Sequence, residues 1–372
     1  MKSALERLAW LSGDSQYDLA CSCATPKDGH RVRCAETGSW LYPVPLLGGR
    51  RGILMRTLLS NCCSSDCKYC PLRHDGVSDH RCSLTPDEVA SLFMEQDRKF
   101  HLYGLFLSSG IIGSADHTME LLTGAAEILR KKHQYRGYIH LKVIPGASDA
   151  AMDKAFSLAS CVSLNVETPG AQFFRQLSSY KDFDTDIVHP LKYMAEHMRR
   201  HSAHGKVRCT SQFIVGAATE NDTDILRYMD GFYNRLRFDR LYFSAYQKPS
   251  DGVFRLDNGE AGLRLDREHR LYQADFLLRK YGFSADEIPC GADGRLDLRR
   301  DPKQVWADLH PAFYPVDVNT ADRESLLRVP GIGPVAADRI LHLRKIHRFR
   351  EVAELGLPGK TARKTYRYVT FG

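Results

Sequence analysis

Cysteine is the residue type in this chain whose spacing points to chemistry. There are 11 cysteines, an odd number and many for a reducing compartment, where disulfide frameworks are rare. Cys161 and Cys209 sit among apolar residues and read as core packing, while Cys82 and Cys290 stand singly in loops. The densest run is Asn61-Cys62-Cys63-Ser64-Ser65-Asp66-Cys67-Lys68-Tyr69-Cys70-Pro71, with Cys63, Cys67 and Cys70 in a C-x3-C-x2-C array. Thiolates suit an iron–sulfur cluster or zinc. Three of them can hold three irons of a [4Fe–4S] cube and leave the fourth iron open, whereas structural zinc wants four closed ligands. Cys62 offers a second spacing, C-x4-C-x2-C. Cys21, Cys23 and Cys34 form a further group, C-x-C-x10-C. These three can bind an auxiliary Fe–S cluster or a zinc, with Cys82, His30 or a substrate atom as fourth ligand, or remain free thiols.

A second pattern lies near the C-terminus, Leu326-Leu327-Arg328-Val329-Pro330-Gly331-Ile332-Gly333-Pro334-Val335-Ala336-Ala337-Asp338-Arg339-Ile340. Two short amphipathic helices flank Gly-Ile-Gly. Gly331 and Gly333 permit a turn too tight for a Cβ and a close backbone approach to a ligand. Ile332 plugs the turn into the helices, and Ala336 and Ala337 let those helices cross closely. The second helix then offers free N–H groups to a phosphate. Asn319 or Thr320 is expected to cap the first helix. Leu355-Gly356-Leu357-Pro358-Gly359-Lys360 reads as a second hairpin without the Gly-x-Gly core. From Arg339 to Gly372 there are nine Lys and Arg against two acids, so this tail alone accounts for the net charge of +7. Arg328, Arg339, Arg344, Lys345, Arg348, Lys360, Arg363 and Lys364 are the expected phosphate contacts, and DNA or RNA the expected partner.

Elements must position these groups. The chain has 372 residues, 43% of them hydrophobic and 26% charged, which fits two or three globular domains and excludes a disordered chain. No run approaches the roughly 20 apolar residues of a membrane helix, and the first residues carry no signal-peptide pattern. A cytoplasmic protein without membrane contact is expected. Residues 1–50 read as an irregular Cys-containing extension with a short opening helix. Apolar β-rich runs come next, at Ile53–Leu59, Tyr103–Leu107, Tyr138–Ile144, Val162–Val166, Val207–Val215 and Arg240–Tyr246. Helical stretches separate them, one opened by Thr85-Pro86-Asp87-Glu88. Six strands with helix-length crossovers predict an α/β fold with a parallel sheet: a partial (β/α)6 barrel over 51–250, with a doubly wound sheet as the other possibility. In either, chemistry belongs at the C-terminal ends of the strands. Residues 251–315 read as a helical and loop extension, and 316–372 as a small all-α domain.

The cysteine run resembles the radical S-adenosylmethionine (SAM) superfamily, whose C-x3-C-x-aromatic-C motif comes after the first barrel strand; Tyr69 fills the aromatic slot. The resemblance favours Cys63 over Cys62 as ligand. It implies a [4Fe–4S] cluster on Cys63, Cys67 and Cys70, SAM bound at the open iron, and a reducing electron donor. It further implies SAM contacts from Tyr69, from Ser108, Ser109 and Gly110, which replace the family's Gly-Gly-Glu stretch, from Asn165 and Glu167, and from Val215; Arg175 is a candidate for the SAM carboxylate. The C-terminal pattern resembles the helix-hairpin-helix module of DNA-binding and DNA-repair proteins. Together the two parts resemble a bacterial family of DNA modification or repair radical SAM proteins, often encoded beside a uracil-DNA-glycosylase-like protein. This resemblance implies SAM-dependent modification or repair of DNA. The alternatives are modification of tRNA or other RNA by the same chemistry, and a non-catalytic Fe–S nucleic-acid-binding or redox-sensing protein. The reacting atom and the catalytic residue are left open.

Overall fold

The computed structural model describes residues 2–15, 40–46, 50–76, 80–200, 207–246 and 261–372. Cys21, Cys23 and Cys34 lie outside the described residues, as do Tyr17 and Asp18. Seven strands form one sheet in sequence order. Strand β1 (Leu41–Pro45) pairs antiparallel with β2 (Arg51–Leu58). Then come β3 (Gly104–Ser108), β4 (Tyr138–Lys142), β5 (Cys161–Ser163), β6 (Arg208–Val215) and β7 (Arg240–Ala245), all parallel to β2.

Sequential order decides the architecture. A doubly wound sheet reverses its strand order at a switch point; this sheet does not. Crossovers of one hand that always step the same way put their helices on one face and curl the sheet into a partial (β/α)6 barrel. The extra strand, β1, falls in the stretch read as irregular. Pro43 and Pro45 lack the N–H that an inner strand needs, and that confines β1 to the edge.

Strand alternation sorts the residues. Met55, Leu105, Leu107, Ile139, Leu141, Phe213 and Val215 are fully buried on the helix-covered side, with Phe93, Met119 and Leu122 from the helices. Each such burial stabilises by roughly 1.5–3 kcal/mol. Helix α1 (Ala4–Asp14) is the expected opening helix, and Arg7 pairs with Glu88 at the start of α2 (Pro86–Phe100). The Thr85 cap forms as a full capping box, with Glu88 N–H on Thr85 Oγ1 at 3.2 Å and Thr85 N–H on Glu88 Oε2 at 2.9 Å. Helix α3 (Ala115–Glu127) comes after β3. Helices α4 (Asp149–Leu158) and α5 (Ala171–Leu177) are short and carry too few turns for a clear sequence pattern, whereas α6 (His189–Arg200) shows one.

The chain divides into two units: Met1–Glu220 with Asn234–Leu265, and Asn221–Tyr233 with Asp266–Gly372. The second holds α7 (Asp222–Asp230), most of α8 (Ala261–Tyr281), α9 (Pro302–Leu309), α10 (Arg323–Arg328), α11 (Pro334–Leu343) and α12 (Gly359–Thr365). A buried ion pair, Arg267 to Asp222 at 2.6 Å, joins α8 to α7. Helix α9 falls within the stretch 251–315 read as a helical and loop extension. Asp301 caps it, Pro302 fills its first position, and Trp306 is buried. A two-residue parallel pair, β8 (Val316–Asp317) with β9 (Val369–Thr370), closes the helical tail.

Candidate functional site

The cysteine loop leaves the C-terminal end of β2 and is stitched to the segment that leaves β3. Leu59 N–H donates to Ser108 O at 2.7 Å, Gly110 N–H to Ser60 O at 2.8 Å, and Ser64 N–H to Ile111 O at 2.9 Å. Gly110 is required for this approach. A Cβ there would overlap the Cys62 carbonyl and stand 3.0 Å from Cys63 Cβ. Arg81 gathers the loop from beneath, donating to the carbonyls of Asn61, Leu72, Arg73 and Gly76. Asn61 Oδ1 accepts from Cys82 N–H at 2.7 Å, and its Nδ2 donates to Asp14 Oδ2 at 2.7 Å.

Asp66 fixes the other side. It accepts from the hydroxyls of Ser178 and Ser179 and from Ser179 N–H at 2.7 Å. Burial opposes its ionisation, but these bonds outweigh burial and hold its carboxyl below the usual range. The turn after α5 is thereby held against the loop, and Lys181 Nζ comes to 2.9 Å from Cys67 Sγ.

Cys63, Cys67 and Cys70 share the walls of one cavity with Ser108, Ser109, Gly110, Asn165 and Glu167. Cys63 Sγ accepts from the N–H groups of Ser65 and Ile111, both at 3.4 Å. Burial, with Cys67 nearby, pushes the Cys70 thiol up to about 12. A cation among the three sulfurs would reverse that sign and favour thiolates. Among the described residues no three Cys, His, Asp or Glu side chains close on a single metal ion. The three thiols, two backbone N–H donors and one half-buried ammonium suit a cluster that gives each cysteine its own iron. Cys62 does not reach the cavity walls; its N–H bonds Ser60 Oγ at 3.0 Å.

Tyr69 is half-buried against a cluster that includes Phe173, Leu177, Ile214 and Ala217. Its hydroxyl bonds Glu167, and burial with that carboxylate pushes its pKa well up. Glu167 is 7% exposed and adopts a left-handed backbone, φ 63°, a conformation costing roughly 1–3 kcal/mol in a non-glycine residue. Its N–H bonds Gln212 O at 3.0 Å and its carbonyl accepts from Ile214 N–H at 2.8 Å, which holds it there. Asn165 Nδ2 lies 3.4 Å from Glu167 Oε2. At β6 Ile214, not Val215, reaches the cavity, because Val215 alternates to the helix-covered side. Arg175 is exposed on α5 and away from the cavity; Lys181 is the cation that lines it beside Cys67. Sequence reasoning missed Lys181, Lys142 and Asp14. For Lys181 the one available signal is that a lysine comes just after the Asp66-binding serines.

In the second unit the hairpin joins α10 to α11. Gly331 has φ +95°, and a Cβ there would overlap Thr365 Oγ1 of α12. Thr365 Oγ1 donates to Pro330 O at 3.0 Å, which seats the hairpin on α12. Ile332 is the expected plug, 1% exposed among Leu326, Leu327, Val329, Ala337 and Ile340. Lys303 Nζ donates to Ile332 O at 2.6 Å. Gly333 begins α11 without a side-chain cap, so the first N–H groups are left open.

Several basic residues are spent inside the unit. Arg328 stacks 3.8 Å from the Phe283 ring centroid and pairs with Glu287 at 2.8 Å. Arg339 donates to the carbonyls of Leu355 and Gly356, and Arg344 to those of Ala321 and Val318. Carbonyls and rings thus engage these three arginines within the unit, Arg328 and Arg344 half-buried and Arg339 exposed. Lys345, Lys360, Arg363 and Arg367 are exposed cations of the tail. The first-helix cap is corrected. Asp322 caps α10 through Ser325 N–H at 2.7 Å, while Asn319 ties Phe349 to Phe371.

Residues 312–364 match the helix-hairpin-helix motif. This tail is a helix-hairpin-helix module. No curated protein matches the chain. Among solved structures, the chain is similar to methylornithine synthase (PylB), at 16% identity over 60% of this chain and 62% of that one, TM-score 0.46. It is also similar to HydG, a maturase of the [FeFe]-hydrogenase, at 12% identity over 84% of this chain and 79% of that one, TM-score 0.44. The chain thus matches about 62% of the length of the synthase. Among the described residues no helix is long and apolar enough to cross a membrane.

Proposed function

We propose that the chain is a radical SAM enzyme that modifies or repairs DNA. The observation that carries this reading is the shared cavity of Cys63, Cys67 and Cys70, at the C-terminal end of the first parallel strand, with Ser108–Gly110, Asn165 and Glu167 in its walls. Cys63, Cys67 and Cys70 would hold a [4Fe–4S] cluster, which with SAM would supply one-electron radical chemistry there.

The chain's residues bind, orient and exclude water around that chemistry. Lys181 offers a half-buried ammonium to an anionic group beside Cys67. Burial disfavours its charge, yet Cys67 and Glu167 more than compensate and keep it protonated. Glu167, fixed by its backbone bonds, offers a carboxylate to an amine or ribose hydroxyl. Ser108, Ser109 and Gly110 offer hydroxyls and backbone. Tyr69 covers the site and ties it to Glu167.

The helix-hairpin-helix module supports a nucleic-acid substrate. It grips backbone phosphates without reading sequence, through the open N–H groups at the start of α11 and the exposed Lys345, Lys360, Arg363 and Arg367. A target atom inside the half barrel would require an extruded base or a single strand.

The test incubates reconstituted, dithionite-reduced protein with SAM and either duplex DNA, single-stranded DNA or tRNA. Digested nucleosides are then weighed by mass spectrometry. A new DNA nucleoside, absent without SAM, is expected. Product in tRNA alone would move the substrate to RNA, and no product with any nucleic acid would reject the DNA reading.

A further inference from the structure

The inner face of the half barrel stays polar where barrels are ordinarily filled with branched apolar side chains. Leu58, Ser108, Lys142, Asn165 and Ile214 belong to the cavity wall. Two residues earlier on the same strands, and so on the same face, lie Arg56, Phe106, His140, Ser163 and Gln212.

This layer is buried but not self-satisfied. His140, Ser163 and Gln212 are 8%, 6% and 6% exposed. Gln212 Nε2 has no hydrogen-bond partner among the described residues. A buried donor left so costs about 1–3 kcal/mol. His140 Nε2 and Ser163 Oγ are 2.8 Å apart. Burial first, then the cations Arg56, Lys142 and Arg208, drive the His140 pKa down to about 3, so the ring is neutral. Phe106 meets His140 edge-on at 4.3 Å, and the Arg56 guanidinium lies 4.6 Å from the Phe106 ring.

We propose that Gln212, with the His140–Ser163 pair beside it, reads the hydrogen-bonding edge of a nucleobase brought into the half barrel. The inference rests on the nucleic-acid reading above and deepens it. A neutral amide and a neutral imidazole–hydroxyl pair match a group that is planar, uncharged and both donor and acceptor. An aliphatic group would call for an apolar floor. Two residues along a strand rise about 6.6 Å. A base edge held at Gln212 therefore leaves its sugar level with Asn165 and Ser108, inside the cavity that the cysteines line.

The test uses full-length reconstituted protein with SAM saturating, so that the site for SAM's own adenine is filled. Each of the four 2′-deoxynucleosides is offered singly in equilibrium dialysis. One is expected to bind at least tenfold tighter than the other three. Gln212→Met, which keeps the volume and removes the amide, is expected to weaken that binding about tenfold. Ser163→Ala, which frees His140, is expected to weaken it severalfold; melting temperatures report whether each variant folds. Equal or undetectable binding of all four by the wild type overturns the inference, whatever the variants do. So does selective binding that folded variants leave unchanged, or adenosine binding seen only before SAM is added. SAM cleavage is read on the same wild-type sample. No 5′-deoxyadenosine there counts against the radical reading, while cleavage with indifference to all four nucleosides counts against this inference alone.

Discussion

Lys181 places its ammonium 2.9 Å from the sulfur of Cys67, although 114 residues of chain separate them. Asp66 and the serines at 178 and 179 make that meeting possible, and Glu167 shares the same ammonium's field. Lys181 is a half-buried cation at the cysteine site, and replacing it with Met removes charge without removing length. The Lys181→Met protein should still bind four irons. Its cluster should have a more negative midpoint in a potentiometric titration, because cations and N–H donors near the sulfurs favour the reduced state. SAM affinity should fall about tenfold, the worth of one charge-assisted hydrogen bond. An unchanged midpoint and unchanged SAM binding would remove Lys181 from the site.

Gly110→Ala tests the stitching of the cysteine loop. The added methyl must displace the Cys62 carbonyl or Cys63 Cβ. A cost of about 1–3 kcal/mol is expected from overpacking, with iron content falling by at least half while far-ultraviolet circular dichroism stays unchanged. Full iron loading would mean that the loop tolerates a wider separation from the β3 segment.

In the tail, Arg328 and Lys360 should behave as opposites. Arg328 is held by Phe283, Trp306 and Glu287, so Arg328→Gln should lower the melting temperature. Lys360→Gln should leave stability alone and reduce the slope of log affinity for DNA against log salt by about 1. The reverse pattern would restore Arg328 as a phosphate contact.

Lys303 makes the stability of the tail depend on pH. Burial brings its pKa from the ordinary 10.5 down to about 7, while its Nζ holds the Ile332 carbonyl. Between those values the unfolded chain binds a proton that the folded chain does not. Stability therefore rises as pH climbs from about 7 toward 10.5, and is least below 7. The gain is on the order of a few kcal/mol. Denaturant melts of the full chain at about pH 6.5 and 9 should show it, and Lys303→Met should flatten it. A wild-type transition that weakens over this range would contradict the burial of Lys303.

Much of this is legible in the residues. The strand runs, the Thr85 cap and the Gly-Ile-Gly turn are local signals, and local signals survive into the fold. Strand β1 escapes a sequence reading because two prolines mask an edge strand, and α9 because a short helix between loops has little periodicity. The three cysteines are found because their ligand spacing is local. Lys181 and Gln212 are not, since a parallel sheet brings them in from distant strands and turns. Arg328 is the complementary case: its charge is visible in the sequence, but the rings and the glutamate packed on it come from elsewhere in the chain.

The most direct measurement is of iron, sulfide and 5′-deoxyadenosine on anaerobically reconstituted protein reduced with dithionite in the presence of SAM. About four irons per chain are expected if only Cys63, Cys67 and Cys70 carry a cluster. Cleavage of SAM should be lost in Cys63→Ala and kept in Cys62→Ala, since Cys62 does not reach the cavity. Zinc in place of iron, or a full complement of iron with no 5′-deoxyadenosine even when DNA and tRNA are added, would contradict the account and leave a metal-stabilised nucleic-acid-binding protein.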